Sequence, residues 1–494
     1  MIGKAMLIFP ASLTLKSYFK ELTPPLGIAY LGAVLKENGF QVNILDATAD
    51  GWEHEEVINN EYIRYGLSLD SIRQRIKDFS PDVLGVSCLL SSQYREMHGI
   101  CKIAKDISRD MITIVGGEHP SSLPHETLKD KNIDFVVLGE GEMTFRDLLV
   151  RMNKGWHYND LDGLAFRDNG KIKINPKKMF IKDLDMLPFP ARHLLPMQKY
   201  FTINRPQALT WRKRPNTSVI TSRGCGARCI FCGTTRHWGN RFRARSAENV
   251  LKEIDRLIKE YGIKEVQFID DNLLSDRGRA LQLLDGLKER RLSWWAPHGF
   301  AVWTLDKELL RKLKDSGCYE ITLGIDSADK RVLKEIIHKP LDIDVVPSLV
   351  KEMRRLRINT KAYFIVGFPG ETKKEMKRTF RFARTLKFDA ATFFIASPLP
   401  GTELYKICHE NKYIKDGFTW QDLNFGKAVI GTEEFSPEEM QEWAHRETLL
   451  VNLRTFFINP AGFIRKFGPI ILKNPSIFFN YFIALLRYTF KKNM

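Results

Sequence analysis

Short apolar runs alternate with amphipathic segments along residues 1–153. "AMLIFP" (5–10) is apolar and stops at a proline. "LGIAYLGAVLKENG" (26–39) carries helical spacing and ends on a glycine suited to a helix C-cap. "QVNILDA", "DVLGVSCL", "MITIVGG" and "DFVVLGE" follow as strand-length runs, separated by "LDSIRQRIKDF" and "YREMHGICKIAKDIS". Strands apolar on both faces, alternating with helices, predict a parallel sheet covered on both sides, here a doubly wound domain.

The rhythm breaks at residues 154–215. "DGLAFRDNGKIKIN" predicts a small hairpin turning at Asp168-Asn169-Gly170, and "DLDMLPFPARHLLP" is proline-rich and irregular. This region reads as a linker packed between two domains. Alternation resumes over residues 216–432 with "SVITS", "KEVQFID", "WWAPHGFA", "YEITLGI", "KAYFIVGF" and "AATFFIAS", each followed by a helical segment. Six β/α units are too few for an eight-fold barrel and predict a partial one, with chemistry at the C-terminal strand ends. The fold class is therefore α/β throughout, with a helical extension over residues 433–494.

Composition is ordinary for a folded chain, 44% hydrophobic and 27% charged, which excludes a disordered or fibrous protein. The net charge of +17 favours anionic partners. Much of it sits at the end. No acidic residue follows Glu447, whereas Arg454, Arg465, Lys466, Lys473, Arg487, Lys491 and Lys492 alternate with aromatic apolar runs. The longest such run has 13 residues, short of the ~20 that span a bilayer. Such a tail suits the membrane interface, or else caps the barrel; nucleic acid fits it poorly, because its aromatics lie in apolar runs. The start of the chain lacks a secretory pattern, and the cysteines are few, so the expected setting is the cytosol, with peripheral contact to the inner face of the membrane.

Three of the seven cysteines fall in "TSRGCGARCIFCGTTRHWG": Cys225, Cys229 and Cys232. They lie just after the first strand of the barrel, on its catalytic face. Three thiolates from one loop suit a four-iron cluster with one iron left open. Zinc remains the rival, with His237 as a fourth ligand. Cys88, Cys101, Cys318 and Cys408 are scattered and read as small core residues.

The C-x3-C-x2-C spacing, with Phe231 before the last cysteine, resembles the signature of the radical S-adenosylmethionine (SAM) enzymes. The resemblance implies a [4Fe–4S] cluster whose open iron chelates SAM, and reductive cleavage to a 5′-deoxyadenosyl radical. It implies SAM contacts by Phe231 and Gly233 in the loop and by Asp270, Asp271 and Asn272 of "FIDDNLL". Further contacts follow for Gly324, Asp326 and Ser327 of "LGIDS", and for Gly367, Gly370 and Glu371 of "FIVGFPGET". The family more often has glutamate where Asp326 stands. An electron donor such as flavodoxin or ferredoxin is implied as partner.

"TPPLGIAYLGAVLKENGF", "VGGEHPSSLP" and "VLGEGE" resemble the cobalamin-binding domain of cobalamin-dependent radical SAM enzymes, the group containing anaerobic Mg-protoporphyrin monomethyl ester cyclase and hopanoid methylases. The implied corrin contacts are Pro25, Leu26, Gly27, Ser87, Gly116, Gly117, His119, Gly139 and Gly141. The D-x-H-x-x-G motif of histidine-ligated cobalamin is absent, so His119 is expected to shape the loop or meet the corrin edge rather than bind cobalt. The expected reaction is methylation of an unactivated carbon of a lipid or other hydrophobic metabolite. Cyclisation, C–C coupling or ring rearrangement would use the same scaffold, and a non-enzymatic basic adaptor would keep the fold without the chemistry.

Overall fold

The computed structural model describes residues 2–458 apart from 17, 424 and 425. The tail from residue 459, with most of the cationic positions named above, lies outside the described residues.

The first sheet holds β1 (Lys4–Phe9), β2 (Gln41–Asp46), β3 (Val83–Ser87), β4 (Ile112–Gly116), β5 (Phe135–Val137), β6 (Leu164–Asp168) and β7 (Lys171–Ile174). Their spatial order is β7-β6-β5-β4-β3-β1-β2, and β1 to β5 are parallel. Alternate residues of β1 feed opposite faces: Leu7 joins Ile114, Phe135 and Leu148 on one side, Met6 and Ile8 join Leu84, Val115 and Ile100 on the other. That double burial is why the strands read as continuous apolar runs. The strand order reverses between β1 and β3, and doubly wound folds bind ligands at the C-terminal strand ends beside such a reversal.

One expectation is corrected. The hairpin assigned to the linker is part of the first sheet. β6 lies antiparallel to β5, and β7 closes the edge. Its turn at Asn169 and Gly170, both with positive φ (49° and 78°), is where the sequence places it. Burial draws it onto the sheet: Leu164 and Ala165 are wholly enclosed, and Phe166 is 3% exposed.

The second sheet holds β8 (Asn216–Val219), β9 (Glu265–Phe268), β10 (Ser293–Trp295), β11 (Phe300–Ala301), β12 (Cys318–Asp326), β13 (Asn359–Val366) and β14 (Ala390–Ile395). The order is β8-β9-β10-β12-β13-β14, all parallel, with β11 beside β12. Among the described residues no pairing joins β8 to β14, so the barrel is partial. "WWAPHGFA" is two strands rather than one, because Pro297 donates no ladder bond and Gly299 turns with φ 93°. Trp294 and Trp295 are fully buried.

Helix Pro437–Ile458 covers the free edge of β14. Asn452 Oδ1 accepts from the Ala391 N–H at 3.1 Å, and its Nδ2 donates to the Ala391 carbonyl at 2.9 Å. Thr448 Oγ1 accepts from the Phe393 N–H at 2.9 Å. The described part of the C-terminal extension is thus a barrel cap, meeting edge groups that would otherwise invite another strand. Among the described residues no helix is long and apolar enough to cross a membrane.

The two sheets are locked together by buried charge. Arg223, just before the cysteine loop, donates to Glu140 Oε1 at 3.0 Å and to Glu142 Oε1 at 2.6 Å. Arg243 donates to the same Glu140 oxygen at 2.6 Å. Arg192 of the connecting segment donates to the Ser218 carbonyl at 2.7 Å and to Glu253 at 3.1 Å.

Candidate functional site

The cysteine loop leaves β8 through Ser222–Arg223. Gly224 has φ 85°, and a Cβ there would fall 2.6 Å from the Arg241 carbonyl oxygen, so only glycine makes this entry. The acids after β9 clasp the loop. Asp270 Oδ1 accepts from the Thr221 N–H (3.1 Å), Thr221 Oγ1 (2.7 Å) and Ser222 Oγ (2.5 Å). Asp271 accepts from the Gly224 N–H at 3.3 Å and from Thr234 Oγ1 at 3.1 Å, pinning both ends of the loop. Asn272 Nδ2 reaches the Cys225 carbonyl at 3.5 Å. These three residues, expected at SAM, therefore spend most of their hydrogen bonds holding the cysteines.

All three thiols are partly exposed and free. Burial pushes each of them up, Cys229 to about 12. Lys339 opposes this at Cys225 and Cys229. Its ammonium is bound to Asp326 Oδ2 at 2.5 Å and lies 5.7 Å from the Trp303 ring. Sequence reasoning missed Lys339; it stands in "HKPLD", where no motif marks it. Among the described residues no three His, Cys, Asp or Glu side chains converge on a single metal ion. Three sulfurs meeting three different irons need no such convergence, so the donor set fits a cluster. His237 Nδ1 lies 3.3 Å from Glu118 Oε2, and burial pushes this histidine down to about 4.

The other strand ends form one rim. Gly324 lies on β12, and Asp326 ends it with φ 63°. Ser327 is wholly buried, 3.2 Å from Thr379 Oγ1 and accepting from the Asp329 N–H at 3.1 Å; its hydroxyl serves the loop rather than the rim. Gly367 and Gly370 follow β13, and the Phe231 ring lies 5.6 Å from Phe368. Glu371 Oε2 accepts from the Gly367 and Phe368 N–H groups at 2.9 and 3.2 Å, and burial pushes its carboxyl up to about 8. Among the described residues, Asp270 Oδ2, Asn272 Oδ1 and Glu371 Oε1 are buried without a partner. Orphaned polar atoms at two strand ends, after β9 and after β13, fit a polar ligand seated on this rim.

The C-terminal edge of the first sheet faces the same space. Gly233 of the cysteine loop leaves room for Glu118, whose Oε1 would lie 2.5 Å from a Cβ there. Burial and the charge of Asp271 push Glu118 up to about 7. Ser87 and Gly116 pair at the ends of β3 and β4. Gly117, with φ 109°, admits the Cys88 carbonyl 2.6 Å from where its Cβ would be, and Gly139 admits the His237 carbonyl at 3.0 Å. At these two positions protein backbone takes the place of a Cβ. Gly141 packs near Val137, and Leu26 on Leu184 and Leu187. Pro25 precedes helix Leu26–Glu37, and Gly27 has open space beside it. His119 is 3% exposed, 3.0 Å from Ser91 Oγ through Nδ1, with its ring between Tyr94 and Trp420. It shapes the loop. Leu89 and Leu90, directly after β3, are each 51% exposed at this edge and suit the flat apolar face of a corrin.

Fold and site together define a radical SAM enzyme with a cobalamin domain ahead of its barrel. The family models agree: "B12 binding domain" matches residues 14–149 and "Radical SAM superfamily" matches residues 219–383. The chain is 37% identical over 471 residues to cytidylyl-2-hydroxyethylphosphonate methyltransferase of Streptomyces wedmorensis, covering 89% of this chain and 88% of that protein. It is 26% identical over 447 residues to an anaerobic magnesium-protoporphyrin IX monomethyl ester cyclase of Rubrivivax gelatinosus, covering 89% and 74%. Among solved structures, the cobalamin-dependent SAM radical enzyme OxsB, with aqua-cobalamin and SAM bound, superposes with a TM-score of 0.68 at 18% identity, covering 91% of this chain and 67% of that one. The chain belongs to the cobalamin-dependent radical SAM enzymes. The resemblance read from its motifs is confirmed, and its cofactors are a [4Fe–4S] cluster, SAM and cobalamin.

Proposed function

We propose that this enzyme methylates an unactivated carbon of a small molecule held between the barrel mouth and the cobalamin edge. The observation that carries the reading is the contact between Gly233 and Glu118: it sets the cysteine loop directly against the C-terminal edge of the first sheet. Cys225, Cys229 and Cys232 would hold the cluster, the rim from Asp270 to Glu371 the SAM, and Leu89, Leu90 and the loop around Gly117 the corrin. When bound, the cluster and SAM supply hydrogen-atom abstraction, and cobalamin supplies the methyl group. The chain's own work is placement. Asp271 and Thr234 fix the loop, Lys339 sets positive charge beside the thiolates, and the Arg223 clasp holds the two domains at one separation. A flavodoxin or ferredoxin would deliver the electron.

The relative from Streptomyces wedmorensis is named for a phosphonate substrate, which supports a polar metabolite over a lipid. The lipid and membrane reading rests on the tail from residue 459. The test is anaerobic reconstitution with iron, sulfide and cobalamin, then reductant and SAM. Expected are 5′-deoxyadenosine from the wild type, none from Cys229→Ala, and substrate gaining one CH2 per turnover. Product that loses hydrogen, or rearranges at constant mass, would replace methylation by cyclisation or rearrangement. Intact SAM in the wild type refutes the site.

A further inference from the structure

The strands β8, β9, β10, β12, β13 and β14 run parallel, so all six start at one end of the barrel. The five residues ahead of each start hold twelve cations and four acids in all, a net of +8 out of the chain's +17. Arg212, Lys213 and Arg214 precede β8, and Arg354, Arg355 and Arg357 precede β13; all six are exposed. Lys264, Arg291 and Lys387, ahead of β9, β10 and β14, are exposed as well.

Helix C-termini account for about one such charge per loop, because a cation there meets the helix dipole and the free carbonyls. Arg354 donates to the Lys387 carbonyl at 3.3 Å, and Lys314 to the Arg357 carbonyl at 3.1 Å. The surplus is not spent this way. Arg212, Lys213 and Arg214 lie well past helix Met197–Ile203. Glu265 accepts from the Arg212 and Lys213 N–H groups at 2.7 and 2.6 Å and is wholly buried, so the acid turns inward while both basic side chains stay in solvent. Among the described residues, neither these three cations nor Lys264, Arg291 and Lys387 form an ion pair.

The basic tail is joined to this same end. Helix Pro437–Ile458 runs antiparallel to β14: Thr448 meets Phe393, Asn452 meets Ala391, and Thr455 Oγ1 donates to the Phe388 carbonyl at 3.3 Å, below the start of the strand. Arg454 donates to the Leu386 carbonyl, beside Lys387, at 3.3 Å. The chain therefore passes residue 458 at the margin of the basic face. The sequence beyond it holds cations and no acid, interleaved with runs such as "SIFFNYFIALL". Clustered cations match the potential of an anionic leaflet, and aromatic apolar runs between them match its interface. A single nucleic-acid strand would instead ask for a groove with aromatics under its bases, whereas these charges are spread over six loops, about 24 Å at the spacing of neighbouring strands.

We propose that the strand-start end of the barrel lies on an anionic membrane surface, held by Arg212, Lys213, Arg214 and the loop from Arg354 to Arg357 and continued by the tail. The inference stands apart from the chemistry proposed above and adds an orientation to it. The eight residues of β13, at ~3.3 Å each and a tilt of ~36°, raise the rim about 21 Å above this face. The mouth and its cysteines then open away from the leaflet, toward water, where a polar substrate arrives.

The test uses full-length, cluster- and cobalamin-loaded enzyme, sedimented with vesicles of equal parts phosphatidylglycerol and phosphatidylcholine or of phosphatidylcholine alone. Binding should require phosphatidylglycerol and fall steeply as salt rises. One cation near such a surface is worth about fivefold in partitioning. Arg212→Gln, Lys213→Gln and Arg214→Gln together should therefore weaken binding about 100-fold. The same charge removed from the first domain, by Arg109→Gln, Lys129→Gln and Lys131→Gln, should leave it little changed. Because the first triple variant could misfold, wild-type enzyme is also acetylated with and without vesicles and mapped by mass spectrometry. Lys213, Lys264 and Lys387 should be protected, and Lys129 and Lys131 should not. Equal binding to neutral vesicles, an equal loss in both triple variants, or no protection overturns the proposal. Protection by transfer RNA where vesicles give none assigns the face to nucleic acid and overturns it too.

Discussion

Replacing Arg223 by methionine tests whether buried charge sets the spacing of the two domains. The guanidinium is 4% exposed and bridges Glu140 (0%) and Glu142 (6%). With it gone, Arg243 still serves Glu140, whereas Glu142 loses its only ion pair among the described residues. Removing one partner of a buried pair costs about 3–5 kcal/mol, because the other charge is stranded. Arg223→Met should lose that much, read by urea unfolding of each domain's transition. Adding Glu142→Gln should recover most of it, since the stranded charge is then gone. The pH dependence has a definite sign. Burial pushes the Glu142 carboxyl up, but Arg223 outweighs it and holds the group below its ordinary value. In the wild type that stability is present above ~4.3, the unfolded value, and is lost as pH falls through the depressed one. Without Arg223, burial is opposed only by a backbone hydrogen bond and the charge of His237, so the folded value rises and stability is lost as pH rises. The penalty of Arg223→Met must therefore be larger at pH 7.5 than at pH 5. A loss below about 1 kcal/mol, or a penalty constant with pH, would refute the reasoning.

Three further outcomes follow from the same geometry. Asp271→Ala frees both ends of the cysteine loop and should weaken cluster retention about 10- to 100-fold, with cobalamin binding kept; iron and cobalt analysis of one preparation reads both. Glu371 is raised from 4.5 to about 8, so its contribution to stability is full below 4.5 and is lost as pH climbs through 8; Glu371→Gln should flatten thermal stability across that window. Asn452→Ala strands the Ala391 backbone groups and should cost about 1–3 kcal/mol in denaturant unfolding, against a small effect for Lys406→Ala on the surface.

The elements most legible in the sequence are those whose cause is local. The runs that became β1 to β5 show burial on both faces, and Cys225, Cys229 and Cys232 share one loop because their spacing allows nothing else. The hairpin turn at Asn169-Gly170 was equally legible, but its docking on β5 was not, because strand pairing is decided by distant partners. The acids after β9 were visible as strand-end polar residues. Their work as a clasp became visible only when Thr221, Gly224 and Thr234 were seen to return to them. Lys339 carried no signal. Gly117 and Gly139 are expected corrin contacts, and each also admits a neighbouring carbonyl where a Cβ would stand, which the sequence does not reveal.

The helix over β14 decides how the basic tail can be studied. Thr448 and Asn452 lie beyond Glu447, the last acidic position, so a chain cut there would shed the side chains that occupy Ala391 and Phe393. Such a truncate would self-associate through its bared margin, and any change in liposome binding would be confounded. Ending the chain after Ile458 separates the two effects, leaving the barrel sealed while the cationic stretch is gone.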